Sequence, residues 1–200
     1  MQEAGAGLKT AFDFAFSLGI LILLSPLLCG IALVIKLGSP GPVFFRQWRH
    51  GLNGKPVEVW KFRTMYDSDE SSATFVQAHE GDSRVTPFGR FLRRTSLDEL
   101  PQFFNVLQGR LSVVGPRPHA IMHNLEYHSR LPRFMHRHSI KPGITGWAQV
   151  NGWRGETDAS EKMQKRVEHD LWYIEHWSFW LDMKIIFITI FRAWSSPNAH

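Results

Sequence analysis

A chain of 200 residues with 44% hydrophobic side chains can bury a core, which excludes a disordered tail. With 23 Lys and Arg against 18 Asp and Glu, the formal charge is +5, so an anionic partner is expected: nucleic acid, an anionic membrane surface or a phosphorylated substrate. Eight Trp and 15 Phe lean toward a lipid interface, and the single cysteine, Cys29, excludes a disulfide framework within the chain.

The first seven residues are small and polar and read as disordered. Lys9 and Asp13 then precede an uncharged run, residues 14–35, closed by Lys36. These 22 residues are long enough to cross a hydrocarbon core of about 30 Å and too long for the apolar segment of a signal peptide. Ser25-Pro26 interrupts the run near its middle. Proline removes one backbone hydrogen bond and clashes with the carbonyl four residues back, so it breaks or kinks a helix there, and the Ser25 side chain can satisfy part of what is lost. Cations flank both ends: Lys9 before, and Lys36, Arg46 and Arg49 after. That symmetry gives no orientation for a crossing and suits a re-entrant hairpin with both ends on one face. The residues alone leave a spanning helix and a re-entrant one equally open.

Leu37-Gly38-Ser39-Pro40-Gly41-Pro42 is a rigid turn in which no helix is expected to continue. Residues 43–47 and 56–65 have strand composition, and Gly51-Leu52-Asn53-Gly54-Lys55 between them is a turn, so a β-hairpin is expected. Residues 67–82 are polar, acidic and Ser-rich and read as a mobile loop. After Pro101 an apolar pattern (Phe103, Phe104, Val106, Leu107) stops at Gly109 and predicts a helix. Proline is tolerated only in a first turn, so the helix is expected to start close to Asp98, with Asp98 and Glu99 at its N-terminus.

Five histidines lie at positions 119, 123, 128, 136 and 138. His119 and His123 have a spacing compatible with a metal on a helix, with Glu126 as a third ligand, but no His-Glu-x-x-His pattern supports zinc, and they read as solvated or interfacial. Residues 141–153 combine Gly and Pro with two tryptophans, the composition of a specific functional loop or of a structural turn. Residues 160–194 are helical by pattern, and their longest apolar run, 185–191, is too short to span. An amphipathic helix in the headgroup layer is expected instead.

Asp98-Glu99 is the pair most unlike its surroundings. Arg90, Arg93 and Arg94 precede it; Arg110 and Gly115-Pro116-Arg117-Pro118 follow. A carboxylate pair ringed by guanidinium groups suits chemistry on a phosphate, because arginines bind the anion while a carboxylate attacks it or holds a metal. The competing explanation is local: Ser96-x-x-Glu99 fits a helix capping box.

Taken together these stretches resemble the bacterial sugar transferase family, the monotopic polyprenol-phosphate phosphoglycosyl transferases, and within it the branch that transfers glucose phosphate. The resemblance is carried by Phe12-Asp13, Ser25-Pro26, Ser39-Pro40-Gly41-Pro42-Val43-Phe44-Phe45-Arg46-Gln47, Lys61-Phe62-Arg63-Thr64-Met65, residues 95–102, Val114-Gly115-Pro116-Arg117-Pro118 and residues 141–152, with Gly152-Trp153-Arg154-Gly155-Glu156-Thr157 for the branch. It covers nearly the whole chain, whereas members of that branch usually carry further transmembrane helices and a regulatory domain before this module.

The resemblance implies a helix-rich α+β fold. Residues 1–37 would form a re-entrant membrane hairpin broken at Ser25-Pro26, residues 38–194 a cytosolic and interfacial catalytic domain with a small β-hairpin and amphipathic helices, and residues 195–200 a tail. It implies a bacterial inner-membrane enzyme working at the cytoplasmic face among membrane phospholipids. Asp98 would attack a UDP-sugar, release UMP and hold a phospho-sugar, which undecaprenyl phosphate then takes, in exopolysaccharide synthesis. Glu99 would act as base or, with Asp98, hold Mg²⁺. Arg93 and Arg117 would bind phosphate in the Gly115-Pro116-Arg117 loop, with Lys61 and Arg63 at the same site. Glucose is the expected sugar, with galactose or an N-acetyl amino sugar as the alternative, and a homodimer is left open. A membrane-anchored basic binding module would explain the charge and the aromatics, but not the Asp98-Glu99 pair. No nucleic-acid motif is visible.

Overall fold

The computed structural model describes residues 3–66, 81–118, 134–153 and 160–193. In chain order its elements are α1 (Glu3–Leu23), α2 (Ser25–Gly38), β1 (Phe44–His50), β2 (Pro56–Phe62), α3 (Pro87–Thr95), a short helical turn (Leu97–Glu99), α4 (Gln102–Leu107), β3 (Ser112–Val114), a second helical turn (Phe134–His138), β4 (Gly143–Thr145), α5 (Trp147–Val150), α6 (Ser160–Glu175) and α7 (Phe179–Ala193). The expected helix-rich α+β class is observed, with the β1–β2 hairpin antiparallel as read from the turn residues.

The break between α1 and α2 follows from Pro26. α1 stops at Leu23, Leu24 leaves helical geometry, and Pro26 sits in the first turn of α2, where its missing N–H costs nothing. The Ser25 hydroxyl donates to the Ile22 carbonyl at 2.8 Å, satisfying an acceptor near the end of α1. Both helices return to the same body of protein. Lys9, Asp13, Ser17 and Leu21, spaced by four, form one buried stripe of α1, while Phe14, Leu18, Ile22 and Leu23 are exposed. On that stripe Asp13 accepts from the Ser112 hydroxyl (2.7 Å) and the Val113 amide (3.1 Å), and Lys9 pairs with Asp182 of α7 at 2.6 Å. Near the far end of α2, Ile31 and Ile35 pack with Phe62 of β2 and Leu92 of α3. Among the described residues one helix segment, Gly5–Leu23, is long and apolar enough to cross a membrane by length and composition.

A second, parallel ladder joins β3 to β4, with Ser112 opposite Gly143 and Val114 opposite Thr145. It was not expected from the sequence, and it accounts for the glycines of residues 141–152. A Cβ on Gly143 would lie 2.1 Å from the Gly115 nitrogen, and one on Gly146 would lie 2.2 Å from the Gly115 oxygen. Two backbones run against each other here, and only glycine fits. Val106, Leu111, Val113, Val114, Tyr173 and Ile185 form the core around this ladder. α7 is amphipathic as expected, with Ile185 fully buried and Trp180, Phe187, Ile190 and Phe191 exposed.

The loop expected over 67–82 needs one correction. Asp82 is buried and its carboxylate receives Arg84 Nε and Nη2, while the Tyr66 and Thr86 amides bond back across the chain to Arg84 and Thr64 carbonyls. Residues 67–80 lie outside the described residues, as do His119, His123, Glu126 and His128, the branch-specific residues 154–157, Trp194 and the tail.

Candidate active site

Asp98 and Glu99 are not in the first turn of α4. α3 ends at Thr95, and Ser96 adopts a left-handed conformation (φ 58°) that stops it. Leu97–Glu99 then form a separate helical turn, and α4 begins after Pro101. No side-chain capping bond forms at Ser96, so the capping-box explanation of Glu99 fails on geometry: the link is the Glu99 amide donating to the Ser96 carbonyl. Both carboxylates point into the protein instead and are buried.

The hairpin brings the first cation. Lys61 of β2 places Nζ 2.8 Å from Glu99 Oε1 and 3.8 Å from Asp98 Oδ2. Asn105 of α4 sets this register. Its side chain accepts from the Trp60 amide at 3.0 Å and donates to the Glu58 carbonyl at 2.9 Å, tying β2 to the helix that follows the acids. Arg117, from the segment after β3, reaches both Glu99 oxygens in a two-pronged ion pair, with Nη1 3.1 Å from Oε2 and Nη2 on Oε1. Arg93, in the last turn of α3, donates Nε to the Thr64 hydroxyl at 2.9 Å and acts electrostatically on Asp98.

Burial pushes Asp98 above the usual carboxylate range. Lys61 opposes this, Glu99 reinforces it by like charge, and Arg93 and Arg117 oppose it again. Burial works against the Arg117 charge too, but Glu99, by charge and hydrogen bonds, and Asp98 outweigh it, so its guanidinium is held more firmly protonated than usual. Among the described residues Asp98 accepts no hydrogen bond, so it is the carboxylate left available for chemistry, while Glu99 is held by Lys61 and Arg117. The arrangement offers a buried carboxylate inside a cationic ring, which can bind a phosphate and present an oxygen to its phosphorus.

The residues expected at this site therefore divide. Lys61, Arg93, Asp98, Glu99 and Arg117 come together. Gly115 and Pro116 shape the approach to Arg117 through the contact with β4. Arg63 goes elsewhere: its guanidinium donates to the Pro40 carbonyl and to the Ser39 carbonyl (2.8 Å) and hydroxyl (2.9 Å), fastening the turn that follows α2. Alternation along a strand would put Lys61 and Arg63 on one face, and the two part because β2 ends at Phe62, between them. Arg49 was missed. It is half-buried beside Arg117 and Glu99, and desolvation first and the Arg117 charge second lower it to about 10, against the pull of Glu99. The only sequence signal for it was a cation in the predicted hairpin.

Among the described residues no three His, Cys, Asp or Glu side chains group as a metal cage. Asp98 and Glu99 do supply two adjacent carboxylates next to an anion site. That donor set fits Mg²⁺, which is commonly held by one or two carboxylates with substrate phosphate and water completing its shell.

The sequence model of the bacterial sugar transferase family matches residues 4–196. The chain belongs to this family. A relative from Escherichia coli K12, named UDP-glucose:undecaprenyl-phosphate glucose-1-phosphate transferase, is 58% identical over 96% of this chain and 41% of its own length. A Caulobacter vibrioides relative of the same name is 46% identical over 96% of this chain and 72% of its own. An Aeromonas hydrophila relative, named UDP-N-acetylgalactosamine-undecaprenyl-phosphate N-acetylgalactosaminephosphotransferase, is 42% identical over 92% of this chain and 43% of its own. The chain thus spans about two fifths of the E. coli relative's length, and the family module, not the longer protein, is what the two share.

Proposed function

We propose that this chain transfers a sugar-1-phosphate, glucose-1-phosphate in the first instance, from a UDP-sugar to undecaprenyl phosphate through a covalent intermediate on Asp98. The observation that carries the reading is the buried Asp98 carboxylate, free of hydrogen bonds among the described residues, set among Lys61, Arg93 and Arg117. The ring of cations orients the diphosphate and neutralises charge that grows on the leaving phosphate. An Asp98 oxygen attacks the β-phosphorus; the bond from that phosphorus to the bridging oxygen breaks, and UMP leaves with the oxygen. A phosphate oxygen of the lipid then attacks the same phosphorus, the bond to Asp98 breaks, and the carboxylate is restored. Two steps let a water-soluble donor and a lipid acceptor use one site in turn.

Glu99, held by Lys61 and Arg117, fixes both cations around the phosphate and, with Asp98, is the residue that would hold Mg²⁺. When bound, Mg²⁺ would supply further charge neutralisation on the diphosphate.

Residues 1–37 act in this reading as a re-entrant membrane element that enters and leaves by the cytoplasmic face of the bacterial inner membrane, ahead of a catalytic domain over 38–194. Support comes from the docking of both ends on one domain: Lys9 and Asp13 at the start, Ile31 and Ile35 near the finish. The Ser25-Pro26 break then lies within the lipid, and the outward Trp180, Phe187 and Phe191 of α7 lie in the headgroup layer.

The test is a donor-only incubation. Rapid quench with UDP-glucose and intact mass spectrometry should show the protein heavier by one hexose phosphate, and Asp98→Asn should remove that species together with UMP release. UMP release without any adduct would rule out the two-step path. The Aeromonas name keeps one second reading alive, an N-acetyl amino sugar donor; a panel of UDP-glucose, UDP-galactose and UDP-N-acetyl sugars separates the two by turnover.

A further inference from the structure

Arg117 meets Glu99 through its side chain, but two other arginines hold its backbone. Arg49, near the end of β1, donates Nη1 to the Pro118 carbonyl at 2.5 Å and Nη2 to its strand neighbour Gln47 at 2.7 Å. Arg137, from the helical turn Phe134–His138, donates Nη2 to the Arg117 carbonyl at 2.8 Å and to Asp170 of α6 at 2.5 Å. Two successive carbonyls of the segment that carries Arg117 are therefore each gripped by a guanidinium, a half-buried one from the hairpin and a buried one from the C-terminal half.

Burying two more cations beside an already cationic site is costly. Arg137 is 2% exposed, and Arg49 Nε and Arg137 Nε and Nη1 are buried without hydrogen-bond partners among the described residues. Among the described residues Asp170 alone balances Arg137 directly, and the helical turn is held on α6 by Phe134 packing with Met163 and Val167. A chain that needed only a stable turn could achieve it with neutral side chains. The geometry that results is specific: the backbone carbonyls at 117 and 118 are held in direction, which fixes the backbone from which the Arg117 guanidinium reaches Glu99.

From this geometry we infer that Arg49 and the Arg137–Asp170 pair are positioning residues for phosphoryl transfer, acting through Arg117 by clamping the Arg117 and Pro118 carbonyls. The inference rests on the function proposed above. α6 thereby sets the orientation of a phosphate-binding arginine whose own segment it follows by some 50 residues in sequence, and misplacement of such a group by about 1 Å costs turnover on the order of a hundredfold.

The experiment is a double-mutant cycle in this chain, purified in nanodiscs, with Arg49→Lys, Arg137→Lys and Arg117→Lys. Lysine keeps the charge and loses the fork. Arg49→Lys and Arg137→Lys should each lower kcat roughly ten- to a hundredfold with KM for UDP-glucose changed less, and should cost at most about twofold more once Arg117→Lys is present. The same fold loss in both backgrounds would overturn the inference. A ¹⁵N-arginine spectrum reads the clamp without any substrate: the Arg117 guanidinium resonances, assigned by their disappearance in Arg117→Lys, should shift and broaden in Arg49→Lys and Arg137→Lys. Unchanged Arg117 resonances would also overturn it, whether or not the kinetics can be read. Failure of the wild-type chain to turn over any UDP-sugar would instead sink the proposed function and leave the spectrum to decide the clamp.

Discussion

Lys61→Met tests the electrostatic design of the site most directly. In the folded protein Lys61 Nζ lies 3.8 Å from Asp98 Oδ2 and 2.8 Å from Glu99 Oε1. At an effective dielectric of about 20, a unit-charge pair at that longer distance interacts by ~4 kcal/mol. Part of this is offset on mutation, because Arg93 and Arg117 still act on Asp98. A net loss of about 1.5–3 kcal/mol in stabilising the charged carboxylate remains, or ~10- to 100-fold in rate at neutral pH. The sign is fixed by what the site must do. In the proposed reaction Asp98 attacks only as a carboxylate, and burial already raises its pKa, so activity is expected to rise with pH through that raised value and fall below it. Removing the largest influence that lowers the pKa moves the acid limb to higher pH. The assay is UMP release from UDP-glucose with undecaprenyl phosphate in nanodiscs, across pH, for wild type, Lys61→Met and Lys61→Arg. Lys61→Met should shift the acid limb upward and recover part of its rate at alkaline pH, and Lys61→Arg should restore much of the wild-type profile. A profile lowered in height with its midpoint unmoved would refute the assignment of Lys61 as the group that keeps Asp98 charged.

Glu99→Gln should cripple UMP release while leaving a measurable rate, since Asp98 survives but Lys61 and Arg117 lose their shared anchor; wild-type turnover in this variant would remove Glu99 from the site. Arg63→Ala should lower thermal stability and leave the position of the acid limb unchanged, because its guanidinium holds Ser39 and Pro40 and not the acids. Asp182→Asn leaves Lys9 buried without its charge partner, and strips ionic character from the bonds donated by Tyr173 and Trp177. Loss of one partner of a buried pair costs about 3–5 kcal/mol, or on the order of 10 °C in Tm for a chain of this size, read by thermal unfolding in detergent. Gly143→Ala forces a Cβ to within 2.1 Å of the Gly115 backbone and should give little folded protein, which size-exclusion yield would report.

Local chemistry was enough for much of this protein. Pro26 ends α1 wherever the helices go, because a missing N–H is a property of the residue. Gly51-Leu52-Asn53-Gly54 turns the hairpin because Asn53 and Gly54 accept positive φ. The order of motifs also carried the family, which is why Lys61, Arg93, Asp98, Glu99 and Arg117 could be named before any of their distances were known.

Tertiary structure decided the rest, in each case where two segments distant in sequence meet. Nothing in Ser96-x-x-Glu99 says whether Glu99 turns back to cap or inward; Lys61 and Arg117, 38 residues before it and 18 after, settle that by charge. Lys61 and Arg63 share a strand parity and a composition, yet one serves the carboxylates and the other the turn after α2, because the strand ends between them and the chain bends. The glycines of residues 143–146 read as part of a functional loop or of a structural turn, and they are the room that β3 needs for β4. Arg137 had no sequence signature and Arg49 only that of a cation in the hairpin, since what they recognise is a pair of backbone carbonyls, and carbonyls are the same in every residue. Sequence determines the chemistry each side chain can perform; only the fold determines which charge it is made to face.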